Sequence, residues 1–128
     1  MEVEEHLFYT KEHEWISIEG DEAVVGISDY AQEALGDITF IELPNVGDVV
    51  EQFEHFATIE SVKAANDIFS PMSGEILDVN ADLEEEPGII NKSPYNKGWI
   101  ARIKLSDAEE KSSLMTAEEY SKFLESVG

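Results

Sequence analysis

The sequence predicts a mainly β protein, a β-sandwich or flattened barrel with a short internal helix and helices at its C-terminus. Three observations carry that expectation. Short runs rich in Val, Ile, Thr, Phe and Tyr recur between about residues 14 and 105. Turn residues separate them, at Gly20-Asp21, 44–48, 70–74 and 95–98. Beyond residue 105 the apolar spacing becomes helical, with Tyr120, Phe123, Leu124 and Val127 forming a stripe. A chain of 128 residues is long enough to bury its own core. It reads as one domain, with a β core over about 14–105 and a helical segment over about 106–127.

The elements follow in chain order. Residues 1–12 are polar apart from a small apolar patch at Leu7-Phe8-Tyr9. Residues 14–19 alternate, with Ile16 and Ile18 on one face and Trp15 and Ser17 on the other. Gly20-Asp21 turns this strand into a second one over 22–27, a hairpin. Residues 28–36 form a short helix that Ser28 or Asp29 can cap and Gly36 can close. Strong β-formers fill 37–43, and Pro44 to Asp48 break the run. Residues 49–53 and 55–62 are further strand candidates. A turn over 70–74 leads into a strand over 75–80. Residues 84–88 form a charged loop, and 99–105 the last strand, with Ile103 and Leu105 alternating with charged neighbours. Ser106 to Glu109 and Thr116 to Glu119 carry the capping-box pattern, which predicts two short helices packed on the sheet.

Charge restricts the partners. Lys and Arg number 8 against 29 Asp and Glu, a formal net charge of −21. Such a chain repels nucleic-acid phosphates and anionic membrane surfaces, and is drawn to basic patches on other proteins. No cysteine is present, so disulfides, thiolate metal sites and cysteine nucleophiles are excluded. Any sulfur redox chemistry comes from an attached group. No apolar run is long enough to span a bilayer. The acidic start Met1-Glu2-Val3-Glu4-Glu5 is unlike a signal or transit peptide, which predicts a cytoplasmic protein. Two metal-like patterns fail. His13-Glu14 lacks the second histidine of a zincin helix, since Ser17 stands in its place. Asp78, Asn80 and Asp82 have calcium-loop spacing, but Leu83 and Ile89 stand where that loop needs Gly and Glu. No metal site and no catalytic residue is assigned.

One stretch has a distinct design. Ala57, Ile59 and Val62 on one side and Ile68 and Phe69 on the other suit two short strands. Lys63 lies between them, followed by the small residues Ala64 and Ala65 and by Asn66 and Asp67, which tolerate turns. The expectation is a lysine held out in solvent on a stiff hairpin, as suits an amine that another enzyme must find and modify. Gly47 and Gly74 lie 16 residues before and 11 after it (63 − 47 and 74 − 63), each in a turn-then-strand unit, which suggests an internal two-fold arrangement.

Glu60-Ser61-Val62-Lys63-Ala64 with its two flanking glycines resembles the attachment site of the glycine cleavage system H proteins, relatives of the lipoyl domains. The similarity extends over Tyr9 to Trp15, Val25 to Gln32, Leu35 to Ile38, Glu42-Leu43-Pro44, Ser70-Pro71, Pro94-Tyr95 and Gly98-Trp99. It implies a lipoyl/biotinyl-type barrel-sandwich hybrid. It implies (R)-lipoate in amide linkage to Lys63, with Glu60 and Gly74 serving recognition by a lipoate ligase or lipoyl transferase. The implied function is that of a non-enzymatic carrier. A pyridoxal-phosphate glycine decarboxylase would load its lipoyl group with an aminomethyl unit. An aminomethyltransferase would pass that unit to tetrahydrofolate, and the FAD- and NAD-dependent dihydrolipoyl dehydrogenase would reoxidise the dithiol. The location would be a bacterial cytoplasm, or a mitochondrial matrix for a processed eukaryotic chain. The resemblance also implies a cleft between the Lys63 hairpin and the segment 12–15, where the loaded arm leaves water. Glu14 and Asp67 would accept its ammonium there, and Glu12 and Ala64 would line the site. The flanks argue against other carriers. A biotin carrier has Met on both sides of its lysine, and a 2-oxoacid dehydrogenase lipoyl domain has Asp before it; here Val62 and Ala64 stand there. A lipoyl relay to other lipoyl proteins is a close variant. A Schiff-base enzyme fits poorly, because that chemistry needs a lysine made less basic by burial or a neighbouring cation.

Overall fold

The computed structural model describes residues 2–127. A seven-stranded antiparallel sheet runs in the order β10-β1-β2-β3-β9-β8-β5, and a three-stranded one in the order β4-β6-β7. The larger contains β1 (Phe8–Tyr9), β2 (Glu14–Glu19), β3 (Glu22–Ile27), β5 (Val49–Val50), β8 (Gly74–Val79), β9 (Ala101–Leu105) and β10 (Met115–Thr116). The smaller contains β4 (Ile38–Glu42), β6 (His55–Ser61) and β7 (Ala65–Phe69). Four α-helices accompany them: α1 (Asp29–Leu35), α2 (Asp82–Glu85), α3 (Ile89–Lys92) and α4 (Ala117–Val127). The fold is the expected barrel-sandwich hybrid.

The β2–β3 hairpin pairs from Glu14↔Ile27 to Glu19↔Glu22 and turns at Gly20. Its two faces are covered by different clusters. Ile16, Val25 and Ile27 join Ile41, Ile59, Ile76 and Ile103 in the core between the sheets. Trp15 turns the other way, into a second cluster with Leu7, Tyr9 and Tyr120. A Cβ on Gly26 would lie 2.6 Å from the Trp15 ring, so this ring needs a bare backbone opposite it. Ser28 caps α1 by accepting from Ala31 N–H, and Gly36 closes the helix at φ 77°. The capping box at Thr116 is formed in both directions: Thr116 N–H donates to Glu119, and Glu119 N–H to the Thr116 hydroxyl.

Several expectations needed correction. The strand predicted over 49–53 is only Val49–Val50, because the chain reverses at Phe53, a residue at φ 65°. The apolar patch at Leu7-Phe8-Tyr9 contains a strand, and another forms at Met115–Thr116, so the sheet extends beyond residues 14–105 at both ends. The charged loop over 84–88 is flanked by two single-turn helices whose Leu83 and Ile90 are fully buried. The first C-terminal helix is a 3-10 turn, Ala108–Ser113, capped by Asp107 rather than Ser106. In α4, Tyr120 is buried and Phe123 and Leu124 pack on the second cluster, but Val127 is exposed. Gly74, expected in the turn over 70–74, opens β8 instead; a Cβ there would lie 2.2 Å from the Lys104 carbonyl oxygen. The units around Gly47 and Gly74 pair with each other, through Val50↔Gly74 and through Gly47 N–H to the Ile76 carbonyl at 2.8 Å.

Candidate functional site

The hairpin of β6 and β7 holds Lys63 at its tip, and the tip is built by Ser61. Ser61 N–H donates to the Ala64 carbonyl at 2.8 Å. The Ser61 hydroxyl oxygen accepts from Lys63 N–H at 3.2 Å and from Ala64 N–H at 3.3 Å. A serine hydroxyl thus ties the backbone on both sides of the lysine, a local turn device. Asn66 and Asp67, expected in the turn, belong to β7 instead, opposite Ile59 and Thr58. Val62 N–H donates to the Asp37 carbonyl at 3.0 Å and fastens the tip to the segment after α1. That segment is itself clamped by Asn91 of α3. Its side-chain oxygen accepts from Ile38 N–H at 2.9 Å, and its amide donates to the Gly36 carbonyl at 2.9 Å.

Lys63 is exposed, and so are Glu60 and Ala64 on either side of it. Its side chain passes over Gly36, and Nζ lies 3.4 Å from the Ala34 carbonyl at the C-terminal end of α1. That end of a helix carries partial negative charge and favours a cation. Gly74 is not brought to the tip: it lies beyond the open end of the hairpin, between Val50 and Leu105.

An apolar groove of about 460 Å³ lies at the open end of the same hairpin. Tyr9, Thr10, Glu12, Phe53, Phe69 and Met115 are among its walls. Glu14 lies directly beneath it, 1 % exposed. Thr10 and Phe69, both groove residues, hold its carboxylate: the Thr10 hydroxyl donates to one oxygen, and Phe69 N–H to the other at 3.2 Å. Burial pushes the Glu14 carboxyl up to about 7, against the pull of these two donors. A carboxylate in such surroundings accepts a cation strongly, provided that Thr10 rotates aside. Asp67 is different. It is well exposed and lies 3.6 Å from the His55 imidazole, which also meets the Thr58 hydroxyl at 2.9 Å. The structure therefore brings Glu14, Glu12 and the base of β7 together at the groove, and leaves Asp67 on the open surface of the hairpin.

His13 was not singled out by the sequence beyond the failed metal motif. It is the third residue of the β1–β2 turn and adopts φ 73°. Among the described residues, no group of three or more His, Asp or Glu could hold a metal ion, and no helix is long and apolar enough to cross a membrane.

Comparison with known proteins agrees with this architecture. A family model described as "Glycine cleavage H-protein" matches residues 7–127. A glycine cleavage system H protein of Halothermothrix orenii is 52 % identical over 127 residues, 99 % of each chain. The mitochondrial glycine cleavage system H protein 2 of Arabidopsis thaliana is 50 % identical over 119 residues, covering 93 % of this chain and 76 % of the plant protein. The crystal structure of a glycine cleavage system H protein from Mycobacterium marinum superposes with a TM-score of 0.83 at 36 % identity, over 94 % of this chain and 97 % of that one.

Proposed function

The chain belongs to the glycine cleavage H-protein family and is a lipoyl-carrying shuttle of the glycine cleavage system; from that premise we propose that Lys63 carries the lipoyl group and that the groove above Glu14 shelters its loaded end. The observation that carries the reading is the exposed amine of Lys63 on a turn tied by Ser61, within Glu60-Ser61-Val62-Lys63-Ala64. The residues fit the group. From Lys63 to Phe69 the hairpin advances about 3.3 Å per residue, a reach of the same order as an extended lipoyl-lysine. The groove at that end is apolar, with a buried carboxylate below it.

Bound lipoate supplies a disulfide that takes up the aminomethyl group of glycine and is later reoxidised. The chain's own residues handle delivery and protection. The stiff tip presents one amine, and exposed Glu60, three residues away, is available to the lipoate ligase or lipoyl transferase. Gly74 contributes through the frame, since its bare backbone lets β8 meet β9 closely. Phe53, Phe69 and Met115 exclude water from the groove. Glu14 accepts the ammonium there through a charge-assisted hydrogen bond, worth about 1.5–3 kcal/mol in a dry site. Asp67, Glu12 and Ala64 border the path that the arm follows along the hairpin. The partners are the glycine decarboxylase, the aminomethyltransferase and dihydrolipoyl dehydrogenase, and the chain is their substrate rather than a catalyst. Bacterial relatives support a bacterial cytoplasm as its compartment.

The test is reconstitution with the three partner enzymes. Lipoylated wild-type protein supports glycine-dependent NAD reduction. Lys63→Ala protein, treated with the same ligase, supports none, while its thermal unfolding stays close to wild type as for a surface change. Turnover by the variant would exclude Lys63 as the carrier residue.

A further inference from the structure

We propose that His13 is a positioning residue for Glu14, and that α4 locks it in place through Tyr120 and Phe123. The inference rests on the role of Glu14 in the groove, and its evidence is the geometry around the β1–β2 turn. Lys11, Glu12 and His13 form that turn, closed by His13 N–H to the Thr10 carbonyl at 3.1 Å and Thr10 N–H to the Glu14 carbonyl at 3.0 Å. A three-residue loop of this kind ends in a left-handed residue, usually glycine. Here it is His13, at φ 73°, a conformation that a side chain adopts at a cost.

The imidazole has the contacts to hold that conformation. It lies 4.5 Å from the Tyr30 ring of α1, 5.8 Å from the Tyr120 ring and 5.9 Å from the Phe123 ring of α4. Its Nδ1 is 2.9 Å from the Tyr120 hydroxyl. The same hydroxyl meets the Ser28 hydroxyl at 2.7 Å, the group that caps α1. Tyr120 is itself fixed by stacking on Tyr9, with ring centroids 4.2 Å apart and planes 2° apart. His13 N–H and C=O are both used, the latter by Ser28 N–H at 2.9 Å. The left-handed step at His13 is what turns the next side chain, Glu14, inward to Thr10 and Phe69. The C-terminal helix thereby controls a carboxylate that it does not touch. Burial holds His13 below the ordinary imidazole value, consistent with a neutral ring packed among aromatics.

The test uses the unmodified chain, so its result does not depend on whether Lys63 carries lipoate. Carbon-13 NMR of labelled glutamate carboxyls follows the titration of Glu14. In His13→Ala the ring is lost and a side chain that disfavours a positive φ remains; in Tyr120→Phe the ring stack stays and the hydroxyl is lost. Release of Glu14 to water removes the desolvation that raises its titration midpoint. We expect that midpoint to fall by half a pH unit or more in both variants, and His13→Asn, which tolerates the left-handed region and keeps a polar partner for Tyr120, to restore most of the wild-type value. A midpoint that moves less than half a unit in either variant overturns the proposal, whatever happens to the melting temperature. If His13→Ala does not fold, Tyr120→Phe carries the same decision. Turnover by Lys63→Ala protein would reject the carrier reading and leave this one standing, whereas a wild-type titration pattern in the His13 and Tyr120 variants would reject this one alone.

Discussion

Glu14 is a carboxyl group with a steep dependence on its surroundings, because it is 1 % exposed and its two oxygens are held by hydrogen bonds from Thr10 and Phe69. Desolvation is the main cause that lifts it from an ordinary 4.5 to about 7. Between those values the folded chain binds a proton that the unfolded chain has released. Its contribution to stability is therefore full below the unfolded value and is lost as pH rises through about 7. At about 1.4 kcal/mol per pH unit the loss amounts to about 3 kcal/mol at most. His13 acts in the opposite sense, since burial lowers its value and its contribution is lost as pH falls. Comparison with Glu14→Gln isolates the glutamate. Urea unfolding at about pH 5 and about pH 8 should show wild type losing up to about 3 kcal/mol more than the variant across that interval. Parallel profiles would mean that the carboxyl is hydrated in the folded protein.

At the scale of elements, the lysine hairpin is held by what packs beneath it. Asn91 of α3 accepts from Ile38 N–H and donates to the Gly36 carbonyl and to the Gln32 side chain. Asn91→Ala leaves these groups without partners and should cost about 3 kcal/mol, the low end of 1–3 kcal/mol for each of three part-buried bonds. Amide exchange should quicken at Ile38 and at Val62, whose N–H is bonded to the Asp37 carbonyl. Unchanged exchange at Val62 would show that the tip stands without this brace. The elements also show what the sequence made legible. β2 and β9 were readable from their alternation, and β3, β4, β6 and β8 from runs of β-forming residues bounded by turn residues. β1 and β10 have two residues each and α2 and α3 four, too few for any period, and they exist because Tyr9, Leu83 and Ile90 find burial elsewhere in the chain. Lys63 was legible through its local motif. The turn around it was not, since Ser61 supplies the turn bonds while Asn66 and Asp67 lie in β7. The sealing of Glu14 was also hidden, because one of its partners, Phe69, lies 55 residues away.

Over the whole molecule the dominant feature is the formal charge of −21. It is a field rather than a set of pairs: among the described residues the ion pairs are His55–Asp67, Lys104–Asp21 and Lys122–Glu118, all on exposed side chains and each worth little. Such a field speeds encounter with a basic surface and is screened over about 8 Å at physiological ionic strength. Association with the glycine decarboxylase should therefore slow as salt rises, as stopped-flow mixing over a range of salt would detect; rates independent of salt would reduce the charge to a matter of solubility. The central claim, that this chain is a carrier acting through one lysine, has a more direct test. After treatment with a lipoate ligase, the intact mass of the whole chain is measured and the adduct mapped by peptide. The account predicts a single lipoyl increment on the peptide containing Lys63, and none on Lys63→Ala protein although its other lysines remain. An adduct on any other lysine, or an unmodified wild-type chain under conditions that lipoylate a known H protein, would contradict it.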